Sequence, residues 1–121
     1  MQLPIRFFRT ADDVRIACCA EGAGPPLVFV RGWLSHIELA WEDANFRAYF
    51  EPLTRHFQLV RYDMRGNGLS ERHPGALDLD AAVLDLETVM DGLELSGATL
   101  YGQFFGGPIA IAYTARTCCR G

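Results

Sequence analysis

Residues 57–70 read FQLVRYDMRGNGLS, a short apolar run that leads directly into a turn containing two glycines. The run at 57–62 has the length and residue types of a buried β-strand. The turn at 63–70 leaves the strand at the end where open α/β sheets collect binding and catalytic groups. The stretch therefore predicts a strand-to-helix connection of an α/β fold.

Further strands are predicted on both sides of this stretch. Residues 5–10 (IRFFRT) and 14–20 (VRIACCA) predict an antiparallel hairpin with its turn at 11–13, where two aspartates favour a turn. Residues 27–30 (LVFV) form an unbroken apolar run, which is typical of a strand buried on both faces. A further short strand is predicted at 99–101.

Helices are predicted between and after the later strands. Residues 46–56 predict a helix that an internal proline weakens, and residues 108–115 predict one that opens on a proline. The clearest helix spans 79–95, with Asp78 or Asp80 as its N-cap. Its apolar side chains recur on one face: Leu79, Ala82, Val83, Leu86, Met90 and Leu93. The alternation predicts an α/β fold with a mostly parallel sheet and flanking helices.

Composition narrows the classes of function. The 121 residues carry a net charge of −4, which argues against a nucleic-acid partner because phosphates attract basic surfaces. No apolar run approaches the roughly 18 residues of a membrane helix, so we expect no membrane partner. The first ten residues lack the apolar segment of a signal peptide, and we therefore expect a cytoplasmic location.

The four cysteines form two adjacent pairs, Cys18–Cys19 and Cys118–Cys119. Metal sites usually need wider spacing, and a disulfide between neighbours in sequence is strained. We expect reduced thiols, no metal and no other cofactor, with a reactive thiol near the C-terminus as the alternative.

Glycine motifs after three predicted strands resemble those of the α/β-hydrolase fold family. Residues 63–70 match its D-x-R-G-x-G-x-S segment through five residues: Asp63, Arg65, Gly66, Gly68 and Ser70. Residues 31–33 (RGW) stand where members usually carry His-Gly before an oxyanion-hole residue. Residues 102–107 (GQFFGG) stand where members carry the nucleophile elbow, G-x-S-x-G-G.

The resemblance spans nearly the whole chain but only the N-terminal portion of the family domain. It implies a truncated α/β-hydrolase fold that begins with the antiparallel hairpin and forms a single partial domain over residues 1–121. Intact members of the family hydrolyse substrates such as esters, amides or lactones.

The resemblance places Phe104 at the position of the nucleophilic serine. Its benzyl group has neither a lone pair nor an acidic proton. The family acid and histidine follow the nucleophile, whereas His36, His56 and His73 all precede Phe104. We therefore expect an N-terminal fragment of a hydrolase that is inactive as written.

The resemblance assigns the backbone amides of Trp33 and Phe105 to the oxyanion hole. The frame around them is assigned to glycines: Gly32, Gly102, Gly106 and Gly107. We expect the ring of Phe104 to project towards the substrate carbonyl. We also expect the bend to relax, because its strain serves no purpose without a serine.

Several residues have a catalytic and a structural interpretation. Ser70 is a substitute nucleophile or a hydroxyl that ties the turn. Asp63 and Arg65 bind substrate or form hydrogen bonds and an ion pair within the turn. Gly66 and Gly68 lack the spacing of phosphate-binding loops.

Two tryptophans and a histidine also have both a functional and a structural interpretation. His36 is a general base or a loop histidine. Trp33 and Trp41 line an acyl pocket or pack the loop after the third strand.

Two alternatives to an inactive fragment remain. One is a small esterase that acts on an ester-like molecule through an improvised nucleophile, Ser70 or Cys118. The other is a self-associating module that forms homo-oligomers through an exposed sheet edge at 99–101. The truncated fold would also leave four apolar side chains poorly covered, which favours association: Val28, Phe29, Ile109 and Ile111.

Overall fold

A computed structural model describes residues 3–118 and places one β-sheet between two layers of helices. A 3₁₀ turn, Glu51–Arg55, follows the second helix. The strands are β1 (Ile5–Arg9), β2 (Arg15–Glu21), β3 (Pro26–Val30), β4 (Gln58–Tyr62) and β5 (Thr99–Gly102). The α-helices are α1 (Ile37–Glu42), α2 (Ala44–Phe50), α3 (Leu79–Gly92) and α4 (Gly106–Thr117).

The sheet has the strand order β1-β2-β4-β3-β5. Strand β2 is antiparallel to both of its neighbours, whereas β3 is parallel to β4 and to β5. Four of the five strands therefore point the same way, which confirms the mostly parallel sheet and the opening antiparallel hairpin. The register sets Val28 between Val60 and Leu100.

Alternation along the central strands sends apolar side chains to both faces of the sheet. One face buries Val28, Val30 and Val60 against α3 and α4. The other buries Phe29 and Leu59 against aromatic residues of α1 and α2. Burial on both faces explains why β3 and β4 read as nearly unbroken apolar runs.

The helices differ from the prediction mainly at their ends. The six-residue helix α1 was not predicted, because its N-cap is His36 rather than a usual capping residue. The helix predicted at 46–56 divides into α2 and the 3₁₀ turn that contains Pro52. Within residues 3–118, no helix combines the length and apolarity needed to span a bilayer.

The predicted boundaries of the last two helices also need correction. Asp78 caps α3, and the helix ends at Gly92 rather than at residue 95. Leu79 is 38% exposed, because it opens the first turn rather than facing the sheet. Helix α4 begins at Gly106, two residues before the predicted proline, and continues to Thr117.

Cys18 and Cys19 are both buried as thiols on successive, opposite-facing positions of β2. Burial raises the pKa of the Cys18 thiol to about 12 and that of Cys19 to about 11. Neither is a ready nucleophile, because the thiolate is the reactive form. Cys118 lies exposed at the end of α4, and Cys119 lies outside the described residues.

Candidate functional site

The loops that follow β3, β4 and β5 meet at the carboxyl edge of the parallel strands. The amide of Gly106 donates a hydrogen bond to the carbonyl of Arg31 at 3.1 Å, which joins the loops after β5 and β3. The Leu34 amide donates to the Asn67 side chain at 2.9 Å, which joins the loops after β3 and β4. The sequence motifs therefore converge on one edge, where α/β proteins carry their sites.

The turn between β5 and α4 keeps the sharp form of an elbow. Phe104 has a φ of +56°, in the left-handed region that residues with a side chain rarely adopt. The expected relaxation of this bend is therefore wrong. The flanking glycines explain why: a Cβ on Gly106 would lie 1.6 Å from the carbonyl oxygen of Val30, and one on Gly102 would lie 2.8 Å from the Cα of Gly107. This close packing holds the turn whichever residue occupies its apex.

The side chain at the apex of the elbow is a hydrocarbon ring open to solvent. Phe104 is 77% exposed, and the guanidinium carbon of Arg31 lies 5.3 Å from its ring centroid. The elbow therefore presents a surface for cation–π contact and no atom that can attack a carbonyl.

Trp33 and Phe105 stand on adjoining loops beside the elbow. Their rings stack with centroids 6.4 Å apart and an interplanar angle of 20°. Gly32, with a φ of +84°, brings the two loops together, since a Cβ there would lie 3.0 Å from the Cβ of Phe105. Within residues 3–118, neither the Trp33 nor the Phe105 amide donates a hydrogen bond. Both amides thus have the capacity to donate to an added oxygen atom.

Asp63 holds the loops together from inside the protein. Its carboxylate is fully buried and accepts hydrogen bonds from the Ser35 hydroxyl at 2.7 Å and from the amides of Ile37 and Leu69 at 3.2 and 2.9 Å. A Cβ on Gly68 would collide with this carboxylate, so glycine is required there. These contacts give Asp63 a structural role in the loops.

Ser70 is locked into the same turn. Its side chain is buried, donates to the carbonyl of Asp63 and accepts from the Ala17 amide at 2.8 Å. The hydroxyl bonds the turn to β2. Because it is buried and both of its hydrogen bonds lie within the protein, it is not available to attack an ester.

Arg65 forms the centre of a buried ionic network. Its Nε donates to Asp85 at 2.9 Å, and its two Nη atoms donate to Asp12 at 2.7 and 2.9 Å. The hydrogen bond from Arg65 lowers the pKa of Asp12 to about 2. Burial lowers the pKa of Arg65. Its hydrogen bonds to the two carboxylates outweigh that effect, so the pKa lies above its ordinary value. Gly66, with a φ of +82°, allows the turn to close above this network.

None of the predicted bases or thiols reaches the elbow apex. The Nδ1 atom of His36 accepts the Leu39 amide at 3.2 Å as the cap of α1, and His56 and His73 are exposed elsewhere. Cys118 lies twelve residues beyond Gly106 along α4, which at 1.5 Å per residue is about 18 Å from the elbow. Among the described residues, no three His, Cys, Asp or Glu side chains form a possible metal cluster.

Trp33 and Trp41 occupy different environments. Trp33 is 41% exposed at the edge of the sheet, whereas Trp41 is buried in α1. The guanidinium carbon of Arg61 lies 4.6 Å from the Trp41 ring centroid. Trp41 therefore packs α1 onto the sheet and does not share a pocket with Trp33.

A cavity of about 380 Å³ opens between the carboxyl ends of β3 and β4 and the segment from the β3 loop to α2. The charged and polar lining residues are Arg31, Ser35, His36, Asp43, Arg61 and Asp63, and most of the remaining lining is apolar. Sequence reasoning did not single out Arg61. The available signal was a charged residue inside the apolar strand LVRY, at a position that must face a covered layer.

Comparison with known proteins gives the same architecture. A family model for the alpha/beta hydrolase fold matches residues 25–117. The chain is 32% identical to the AB hydrolase superfamily protein YisY of Bacillus subtilis, over 91% of this chain and 39% of that protein. It is 38% identical to 2-hydroxymuconate semialdehyde hydrolase of Pseudomonas sp. strain CF600, over 88% of this chain and 37% of that enzyme.

A solved structure agrees with these sequence matches. The esterase from Exiguobacterium antarcticum superposes with a TM-score of 0.77 at 26% identity, over 90% of this chain and 39% of the esterase. The chain thus spans about two fifths of the length of the relatives it matches. The range matched by the family model, residues 25–117, contains β3, β4, β5, the elbow and the loops described above. The chain belongs to the α/β-hydrolase fold family.

Proposed function

We propose that this chain supplies the sheet, the elbow and the oxyanion loops of an α/β-hydrolase fold without catalysing serine-type hydrolysis. The observation that carries the proposal is Phe104 at the apex of a properly formed elbow, with a φ of +56°. A collapsed elbow would have explained inactivity by misfolding. Because the elbow is formed, the proposed inactivity follows from the missing hydroxyl at position 104 rather than from misfolding.

Serine-type hydrolysis needs a nucleophile, a base that accepts its proton and an acid that orients the base. Phe104 supplies no nucleophile, and each histidine of the sequence precedes it. Ser70 is buried by two hydrogen bonds, and Cys118 lies at the far end of α4. The geometry therefore favours the inactive fragment over an esterase with an improvised nucleophile.

The retained part of the site is the pair of amides on Trp33 and Phe105. We infer that the amides at the corresponding positions form an oxyanion hole in relatives of full length. We also infer that such relatives act on small ester-, amide- or lactone-like molecules. The relatives described as a hydrolase and an esterase support this substrate class. The buried thiols of Cys18 and Cys19 support a reducing, cytoplasmic location.

The decisive test is a p-nitrophenyl ester assay on the purified chain together with fluorophosphonate labelling of Phe104→Ser. We expect no sustained turnover by the parent chain and no efficient labelling of the variant, because a serine without a base is a poor nucleophile. This result would show that the Phe104→Ser substitution alone places a serine on the elbow without a base to accept its proton.

Ser70→Ala and Cys118→Ala are the matched controls for the ester assay. Turnover by the parent chain that disappears in either variant would establish an improvised nucleophile and overturn the proposal. Efficient labelling of Phe104→Ser would contradict the absence of a base near the elbow and would leave the missing hydroxyl of Phe104 as the reason for inactivity.

Self-association is a second candidate function, and the open side of β5 supports it. Within residues 3–118, β5 pairs only with β3, so its other side presents unpaired backbone groups. Ile111 on the adjacent helix α4 is 72% exposed. The other three side chains expected to lack cover are buried: Val28, Phe29 and Ile109. Helices cover both faces of β3, which carries Val28 and Phe29, and Ile109 faces the sheet from α4. We propose a homo-oligomer formed through this edge.

A further inference from the structure

The cavity beside α1 contains a charged group whose hydrogen bonds are incomplete. Arg61 is only 4% exposed, and its Nη1 donates to the carbonyl of Ile37 at 3.1 Å. Its Nη2 is buried and has no acceptor among residues 3–118. A buried guanidinium donor without a partner is costly, so such a group usually bonds to an ordered water, an ion or a ligand.

A second guanidinium borders the same cavity with the same deficit. The Nε of Arg31 is buried and has no acceptor within the described part of the chain. Arg31 itself is only half-buried, because its other end reaches the Phe104 ring. The cavity is therefore bordered by two arginines, each with a buried donor that no group in residues 3–118 satisfies.

The carboxylates that line the cavity are already engaged. Asp63 accepts three hydrogen bonds inside the loops, and Asp43 caps α2 by accepting from the Asn45 amide at 2.8 Å. Neither forms an ion pair with Arg61 or Arg31 within residues 3–118. In the described part of the chain, neither acid therefore provides the missing acceptor.

Glu21 is the remaining acid near Arg61. Cys19 lies opposite Arg61 in the β2–β4 register, which places Glu21 diagonally across on the same face. One oxygen of Glu21 is buried and also has no partner, yet the two side chains do not form an ion pair. Glu21 does not line the cavity, so it acts as a competing charge beside the site rather than as an occupant.

We propose that this cavity binds the carboxylate of a short aliphatic acid. The guanidinium groups of Arg61 and Arg31, which line the cavity, would receive the carboxylate, since guanidinium groups match its geometry. The apolar part of the lining, which includes Phe29, Ile37 and Phe46, would receive the aliphatic tail. The volume of about 380 Å³ lies within the range of small-molecule sites, which are mostly apolar with a few polar groups.

The test is a calorimetric titration of the whole chain with butyrate at constant ionic strength and neutral pH. Butyramide, which has nearly the same shape and no charge, is the matched ligand control. We expect saturable binding of butyrate by the parent chain and at least tenfold weaker binding of butyramide.

Three variants assign the binding to the cavity. We expect Arg61→Gln and Arg31→Gln each to weaken butyrate binding at least tenfold, and Arg55→Gln, an exposed arginine outside the cavity, to leave it unchanged. We expect Glu21→Gln to tighten binding several-fold by removing the competing charge. If Arg61→Gln fails to fold, Arg31→Gln decides, because its side chain is partly exposed.

Two results would overturn the proposal. One is an absence of saturable butyrate binding by the folded parent chain. The other is equal binding by the parent chain and by Arg31→Gln, since the carboxylate would then lie elsewhere.

Discussion

Phe104 shows how a single side chain can be chemically inert while its backbone remains under strain. A left-handed conformation costs a residue with a side chain roughly 1–2 kcal/mol, and glycine adopts it freely. The ring returns only part of this through its exposed contact with Arg31, worth about 0.5–1 kcal/mol. The elbow therefore carries strain that no catalytic step uses.

We predict that Phe104→Gly changes the free energy of unfolding by less than about 0.5 kcal/mol, because the relief of backbone strain offsets both the lost ring contact and the conformational entropy that a glycine loses on folding. Urea denaturation followed by circular dichroism measures the change in the free energy of unfolding. The control is Gln103→Gly, which lies one residue earlier and does not have a positive φ. We expect that control to destabilise by about 0.5–1 kcal/mol, and a Phe104→Gly variant that is destabilised as much as the control would contradict the prediction.

Sequence reasoning located some residues well and missed others for a physical reason. Phe104, Trp33 and Phe105 could be assigned to loops after β3 and β5 because the glycine motifs around them resemble those of the α/β-hydrolase fold family. Arg61 could not be assigned to a cavity, because its environment depends on α1, and α1 carries no recognisable capping signal. Local sequence patterns do not predict the environment of a side chain when that environment is formed by another secondary-structure element.

At the scale of elements, Arg65 joins three parts of the chain that are distant in sequence. Its carboxylate partners are Asp12 in the hairpin turn and Asp85 in α3, while Arg65 itself follows β4. The D-x-R-G-x-G-x-S segment therefore connects the hairpin, the parallel strands and the helix layer. Its polar residues serve assembly of the elements rather than chemistry.

We predict that Asp12→Asn destabilises the chain by about 1 kcal/mol at neutral pH, a value reduced for the partial exposure of this side chain. The Arg65 hydrogen bond lowers the folded-state pKa of Asp12 from 3.8 to about 2. The stabilisation is therefore complete above about pH 4 and is lost as the pH falls through 2. Unfolding free energies of parent and variant should converge over that interval, and a difference that stays constant down to pH 2 would contradict this.

A second prediction concerns the contact between α4 and β3. Gly106→Ala should destabilise by about 3 kcal/mol or more, because its Cβ would lie 1.6 Å from the Val30 carbonyl oxygen. Gly107→Ala should be neutral or stabilising by up to about 1 kcal/mol, since a Cβ there meets nothing within 4 Å and alanine favours helix. Thermal and urea unfolding of both variants give the comparison. Equal effects at the two positions would show that the helix is not seated on β3 as described.

The elements themselves were largely predictable from the sequence. Each of the five strands overlaps its predicted range, because apolar runs and turn residues act locally. Helix ends were less predictable: α3 ends at Gly92 and α4 begins at Gly106, where packing against the sheet decides. The division of the helix predicted at 46–56 follows from Pro52, whose effect the sequence indicated but did not locate.

At the scale of the whole molecule, the two edges of the sheet differ in their partners. Strand β1 lies at one edge and pairs with β2, and β5 lies at the other and pairs with β3. Near β5, Leu100, Ala110, Ile111 and Thr114 line a shallow apolar surface. We therefore propose this edge as the site of association with a second copy of the chain.

We predict that the purified chain self-associates through the β5 edge and that Ile111→Glu weakens this association at least tenfold. The reason is that Ile111 is 72% exposed, and a charge there would need to be desolvated in a paired edge. Static light scattering over a hundredfold concentration range gives the apparent mass. Leu77→Glu is the control, because it replaces an exposed leucine on the loop before α3, and it should leave association unchanged. A parent chain that stays monomeric at every concentration, or equal weakening by both variants, would contradict the assignment of the interface to β5.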